Sequence, residues 1–248
     1  MTSGTIFASR KLPFVDLLGA ICLFVNAAKG LSAVQLSRDL DVQHKTAFVL
    51  MHKLREAMTA EIRDMRLTGE VEVDGAAFGG HVRPANLREE RVDRRLLGNR
   101  SGKRRVVVVL RRRGGRTVTR TFLREAQGVD FVREQTASGT VVSADEGTHR
   151  DLLEPDFDMQ RINHSEAYSL NGARTNGAES YFSRLRRMIG GQHLRVEGRY
   201  LDAYAIHAAW LDDHRDESNG CLADRLIGGA LAVPVSRAWK GYWQRRAA

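Results

Sequence analysis

Two periodicities divide the chain. Before residue 60, apolar residues recur every three or four positions, as on a helix face. From residue 70, short runs alternate or are continuously β-branched, as in strands. Within 31–58 the apolar positions Leu36, Leu40, Val42, Ala47 and Leu50 predict two helices joined by a tight turn. Ser37 is small enough to let the helices approach. Asp41 falls where the turn needs a left-handed backbone, which Asp tolerates. The spacing is that of a helix-turn-helix, with 43–56 as the second helix and Gln43, His44, Lys45 and Thr46 at its N-terminal end. Any helical hairpin would show the same pattern. Ahead of it, LLGAICLFV (17–25) predicts a core helix, with Pro13 in its first turn and Gly30 as its stop. The run is too short to span a bilayer, and Arg10 and Lys11 before it give it only a faint likeness to an export signal.

After residue 70 the pattern predicts a strand at 70–74 (EVEVD), a second at 104–111 (RRVVVVLR), and a turn at Arg113-Gly-Gly-Arg116. An alternating strand at 117–123 then completes a hairpin. Helix-like spacing follows at 125–138, a short strand at 140–145 (TVVSAD), and a short helix at 146–153. A strand at 159–163 and helices at 175–189 and 198–215 complete the pattern, and 79–102 reads as an extended loop. Three strands, helix, strand, helix, strand, helix is the element order of an α/β fold, an RNase H-like mixed sheet flanked by helices. A small all-α helix-turn-helix region precedes it. The expected division is 1–60 for the helical region, 68–219 for the RNase H-like domain and 220–248 for a C-terminal tail.

Charge sharpens this picture. The chain has 39 Lys and Arg against 30 Asp and Glu, a net charge of +9. Residues 81–124 alone hold fifteen Lys/Arg and three acids, net +12, so the remainder is net −3. Nearly all of these cations are Arg, which grips phosphate with two hydrogen bonds at once. A polyanion, most simply DNA, is the expected partner. Arg104, Arg105, Arg111, Arg112 and Arg113 flank the hairpin strands as candidate phosphate contacts; a solvated charged face is the plainer reading. The only cysteines, Cys22 and Cys221, exclude a disulfide scaffold and fit a cytoplasmic protein.

Three acids stand out by position. Asp74 ends the first strand, Asp145 ends the fourth, and Glu179 lies in the first turn of the helix at 175–189. Two strand-end carboxylates and one helix carboxylate can converge, and hard divalent cations want such oxygen ligands. Two metal ions ~4 Å apart can activate an attacking oxygen and stabilise a leaving one in phosphoryl transfer. Each acid also has a structural reading. Asp74 before Gly75 could make a turn, Asp145 could cap a helix, and Asn176 with Glu179 has capping-box spacing. On the same helix, Ala178, Phe182, Leu185 and Ile189 form an apolar stripe, and Asn176, Glu179, Ser183 and Arg186 a polar one. Arg186 thus stands on the side of Glu179, where it could meet a metal-bound phosphate or simply join an exposed ion-pair face.

The motifs VEVDGAAFGG (71–80), VVSADE (141–146), RINHSEAYS (161–169) and RTNGAESYFSRLRRMIGG (174–191) resemble those of bacterial DDE-type insertion-sequence transposases. The nearest likeness is to the branch with the ISXO-two-like transposase domain. The resemblance runs on to AYAIHAAWLDDHRDESNG (203–220) and GYWQRR (241–246), and so covers nearly the whole chain. It implies a metal-binding triad of Asp74, Asp145 and Glu179 holding a pair of Mg2+ or Mn2+ ions, with accessory roles for Asn176, Arg186 and His164. It also implies a nucleoid-associated enzyme that cuts the ends of its element and joins them to target DNA, assembled as a homo-oligomer on DNA, with no membrane partner. The family usually carries a zinc ribbon of paired CxxC motifs ahead of the helix-turn-helix. Here MTSGTIFASRKLP resembles the tail of that ribbon, and the sequence holds no CxxC pair. His207, His214 and Asp216 stand where the resemblance leads one to expect Glu, Asn and Arg. The alternative reading is a truncated, inactive DNA-binding relic that competes with a full-length enzyme; a nuclease of the same fold would cut without joining.

Overall fold

The computed structural model describes residues 2–80, 84–93, 96, 102–145, 148–162 and 175–245, with backbone alone at 148–150, 162, 244 and 245. The chain forms two compact units: Met1–Met65, Ser183–Leu194 and Ile206–Ala248 make one, Arg66–Phe182 and Arg195–Ala205 the other. It passes between them within α5 (Asn176–Met188) and again within α6 (Leu201–Asp213).

The first unit is helical. Its α1 (Phe14–Asn26), α2 (Ala33–Asp39) and α3 (His44–Met58) bury Leu17, Ile21, Phe24, Leu36, Leu50 and Leu54 in one core. Pro13 is the residue before α1 rather than part of its first turn. Ser32 caps α2 by accepting the Gln35 N–H at 3.1 Å. Between α2 and α3, Asp41 has φ +49° and the Val42 N–H donates to the Ser37 carbonyl at 2.9 Å. These are the left-handed residue and the close approach that the spacing demands.

Residues 220–248, expected as a tail, are built into this unit. In α7 (Asn219–Ala232), Leu222, Leu226 and Ala230 recur every fourth position and enter the same core, with Val233 after them. Gly220, Gly228 and Gly229 disguise that helix in the sequence, and the last of them is a packing requirement. A Cβ on Gly229 would lie 2.7 Å from the Ala57 carbonyl oxygen of α3, whereas one on Gly228 meets nothing within 4 Å. Adjacent substitutions should therefore have opposite signs. Gly229→Ala should cost about 1–3 kcal/mol by overpacking, and Gly228→Ala should add up to ~1 kcal/mol of helix propensity. Urea-denaturation midpoints of the two variants check this.

A cluster of cationic and aromatic side chains lies inside the same unit. Arg55 and His207 are 1% and 0% exposed. The His207 ring stacks on Phe24 at 4.5 Å, and the Arg55 guanidinium sits 5.4 Å from the same Phe24 ring. Buried His52 stacks on Trp239 at 4.1 Å. Burial first, then the Arg55 charge, lowers the pKa of His52 to about 3 and of His193 to about 4, and holds His207 well below its ordinary value.

The second unit is a five-stranded mixed sheet in the order β3-β2-β1-β4-β5. The strands are β1 (Glu70–Gly79), β2 (Arg104–Arg112), β3 (Thr117–Phe122), β4 (Val141–Asp145) and β5 (Asp158–Ile162). Neighbours among β1, β2 and β3 run antiparallel; β4 runs parallel to β1 and β5 parallel to β4. This is the RNase H-like arrangement that the element order predicts. The strand β2 is internal, paired with β1 on one side and β3 on the other, and its valines are mostly buried, as a strand covered on both faces requires. The single helix expected at 125–138 is instead a 3-10 turn, Glu125–Gly128, followed by α4 (Val129–Gln135). The joint falls at Gly128, where a Cβ would lie 2.8 Å from Val108 of β2. The short helix expected at 146–153 is a 3-10 turn, Thr148–Leu153.

Candidate active site

Strand pairing brings two of the three acids together. Val73 pairs with Ala144 at the end of the parallel β1–β4 ladder, so Asp74 and Asp145 are the next residues on neighbouring strands. Strands pair about 4.8 Å apart, and matched residues of parallel strands share a face. Asp145 is the last residue of β4 and is exposed. Asp74 does not end its strand: β1 continues to Gly79, held by its antiparallel ladder to β2. The pair Asp74-Gly75 is therefore mid-strand rather than a turn, and Asp74 Oδ1 accepts the Gly75 N–H at 2.7 Å.

The helix bearing the third acid lies over the same face. On β1 the alternation puts Glu72, Asp74, Ala76 and Phe78 on one side. Glu72 Oε2 accepts the Ala178 N–H in the first turn of α5 at 3.0 Å. Phe78 meets Phe182 one turn later, with ring centroids 6.2 Å apart. Asp74 lies between these two points of support, and Glu179 follows Ala178 directly. The Glu179 N–H donates to the Thr175 carbonyl at 3.0 Å, so the first helical bond starts at Thr175. Asn176 is thereby the first residue inside α5 rather than its cap, and the capping-box reading of Asn176 and Glu179 does not hold. Both residues are exposed.

Among the described residues, no group of three or more His, Cys, Asp or Glu side chains is close enough to hold a metal ion. The structure thus aligns Asp74 with Asp145 and sets the Glu179 turn over their sheet, without gathering the three carboxylates into a ligand cage. By type, two neighbouring carboxylates and a third on the covering turn are the oxygen donors that hard divalent cations prefer. Arg186 lies further along α5, in the part that belongs to the first unit. His164 lies outside the described residues.

Glu72 is the residue that the sequence reading passed over. It is 4% exposed, and burying a carboxylate is costly unless it is bonded. Its signal was present in EVEVD: alternation that puts Asp74 on one face must put Glu72 there too.

The same alternation divides the candidate phosphate contacts. Arg111 stands opposite Glu72 and Arg105 opposite Phe78, on the acid face; Arg104 and Arg112 stand opposite Gly79 and Val71, on the other. Arg113 forms an ion pair with Glu70 and approaches Glu72 to 4.0 Å, so it is held at the end of the β1–β2 ladder. The Arg105 guanidinium donates to the Gly102 and Arg104 carbonyls at 2.9 and 3.0 Å. Arg104 and Arg112 are exposed.

In the helical unit Gln43, His44, Lys45 and Thr46 are all exposed at the start of α3. Their surroundings differ. His44 lies on the Phe48–His52 side, which Trp239, Tyr242 and Trp243 line. The Trp243 Nε1–H donates to the Lys45 carbonyl at 3.4 Å, and the Lys45 ammonium sits 5.5 Å from that indole.

Residues 66–213 match the family model described as the ISXO2-like transposase domain. The chain belongs to that transposase family. In the solved structures, this transposase chain is matched by the Mos1 strand transfer complex at 11% identity and TM-score 0.23, covering 89% of this chain and 80% of the other. The Mos1 transposase paired-end complex with left transposon end matches at 11% identity and TM-score 0.24 over 89% and 81% of the two chains. The Mos1 mariner paired-end complex with Mn matches at 12% identity, TM-score 0.24 and the same coverage. No curated protein matches the transposase chain. Among its described residues, no helix is long and apolar enough to cross a membrane.

Proposed function

We propose that this transposase cuts the DNA ends of an insertion sequence and joins them to target DNA, with Asp74, Asp145 and Glu179 as its metal-binding acids. The observation that carries this reading is the alignment of Asp74 with Asp145 beneath the α5 turn that bears Glu179. Mg2+ or Mn2+ ions bound there, two by the family resemblance, would supply activation of the attacking oxygen and charge neutralisation at phosphorus. The carboxylates hold the cations. Arg105 and Arg111, on the same sheet face, and Arg186 on α5 hold backbone phosphate. Arg104 and Arg112 offer a second phosphate surface across the sheet, while Arg113 ties the end of β2 to the start of β1 through Glu70. By the family resemblance, Asn176 and His164 take accessory roles. Gln43, Lys45 and Thr46 read DNA from the exposed end of α3, with His44 on the aromatic flank. Two DNA ends must meet for joining, so the working form is a homo-oligomer on DNA.

A strand-transfer assay tests this. A pre-cut element end and a plasmid target are incubated with Mg2+ or Mn2+ and either the wild-type chain or Glu179→Gln. Joined products that disappear in the variant are expected. Salt-sensitive DNA binding without joined products from the wild type would instead identify a non-catalytic DNA-binding relic, and cut but unjoined DNA a nuclease.

A further inference from the structure

We propose that Glu72 is a positioning residue for this site: its carboxylate anchors the first turn of α5 to β1 and so sets where Glu179 stands relative to Asp74. The inference rests on the reading of these acids as metal ligands and adds a residue that does not itself touch the metal.

A helix leaves its first amide donors without intrahelical partners, and a side chain next to the helix in sequence usually takes them. Here the acceptor is remote: Glu72, on a strand 106 residues away in sequence, takes the Ala178 N–H in a buried bond of 3.0 Å. The helix dipole favours a negative group at this end. On its other side Glu72 faces cations, with Arg113 Nε at 4.0 Å and Arg111 opposite it in the β1–β2 ladder. Gly177 makes the approach possible. A Cβ there would lie 2.7 Å from Glu72 Oε2 and 3.1 Å from Arg111 Cδ, so only a bare backbone lets the carboxylate reach the next amide.

The anchor has a lever arm. α5 rests on the Asp74 face at Glu72–Ala178 and at Phe78–Phe182, and Asp74 lies between them along β1. With the first support removed, the turn carrying Glu179 is free to lift about the second. A shift of this kind disperses the carboxylates without altering any of them, and groups that orient metal ligands typically change metal affinity 10–100-fold.

Three readouts on the full chain separate the possibilities. In Glu72→Ala, amide hydrogen exchange at 177–179 should quicken. Mn2+ affinity, measured by calorimetry, should fall about 10–100-fold. Duplex DNA binding in EDTA should stay at the wild-type level. Glu72→Gln keeps an acceptor oxygen for the Ala178 amide and should restore most of the exchange protection and part of the Mn2+ affinity. If Glu72→Ala does not fold, Glu72→Asp, one methylene shorter, takes its place. Wild-type exchange in the Ala or Asp variant overturns the anchor. Quickened exchange with unchanged Mn2+ affinity overturns the positioning role. Mn2+ binding equal in the wild type and Asp145→Ala overturns the metal reading, and the positioning role with it, while exchange still reports the anchor separately.

Discussion

Asp145→Ala is expected to reduce DNA cleavage and joining by more than about 10^3-fold, since under the proposed function it removes an acid that would hold charge-stabilising cations at the reacting phosphate. Folding should be nearly untouched. Asp145 is the exposed last residue of β4, and the residues that pack that strand, Val142 and Ala144, lie before it. DNA binding should respond in the opposite sense. In EDTA the three carboxylates carry no bound metal ion and repel phosphate, so removing one should leave affinity unchanged or raise it slightly. Cleavage of a labelled element end in Mg2+, beside mobility shifts of the same DNA in EDTA, reads both. Wild-type cleavage by Asp145→Ala would falsify the assignment of the triad.

The helical unit is expected to lose several kcal/mol of stability between pH 7.5 and pH 5. Burial and the Arg55 charge hold His52 and His193 neutral in the folded chain, with pKa values of about 3 and about 4, and hold His207 well below its ordinary value. In the unfolded chain each returns to about 6.5. Below that value the unfolded state takes up protons that the folded state refuses, so stability is complete above about pH 6.5 and falls as the pH drops toward the folded values. For His52 alone the loss reaches about 2 kcal/mol by pH 5. The probe is built in: Trp210, Trp239 and Trp243, the three tryptophans of the chain, all belong to the helical unit. Tryptophan fluorescence in urea should therefore show a falling midpoint at pH 5. His52→Phe, which keeps a ring against Trp239, should recover about 2 kcal/mol there. A midpoint independent of pH would refute the buried neutral histidines.

What could be read from the sequence follows from how locally each feature is encoded. Strand alternation and the β-branched run of β2 are local, and the hairpin and the order of elements followed from them. Asp41 was legible because a left-handed turn admits few residues. The limits of β1 were not, because its extension beyond Asp74 is imposed by pairing with β2 rather than by its own residues. Gly128 drew no notice inside the helix expected at 125–138, nor Gly229 inside the expected tail, because each marks a close approach to residues far away in sequence. At the candidate site, Asp74, Asp145 and Glu179 were proposed by type and position, and the strand pairing sets the first two side by side. Glu72 was missed because its role depends on an amide contributed by another element. The arginine cluster was visible as charge, but its division between two sheet faces became plain only once the register was known.

The interleaving of the two units in the chain has a consequence for synthesis. The core of the helical unit joins α1 and α3 to Leu222, Leu226, Ala230 and Val233, whereas the sheet unit needs nothing beyond Ala205. A chain growing from its N-terminus can therefore complete the sheet while the first helices still expose apolar faces. Those faces wait for residues 219–233, and exposed apolar surface of this kind promotes aggregation. A message cut short after α6 would release chains with a finished sheet and an unfinished, sticky helical half, so loss of the last helices should appear in the cell as insoluble protein rather than as a smaller working enzyme.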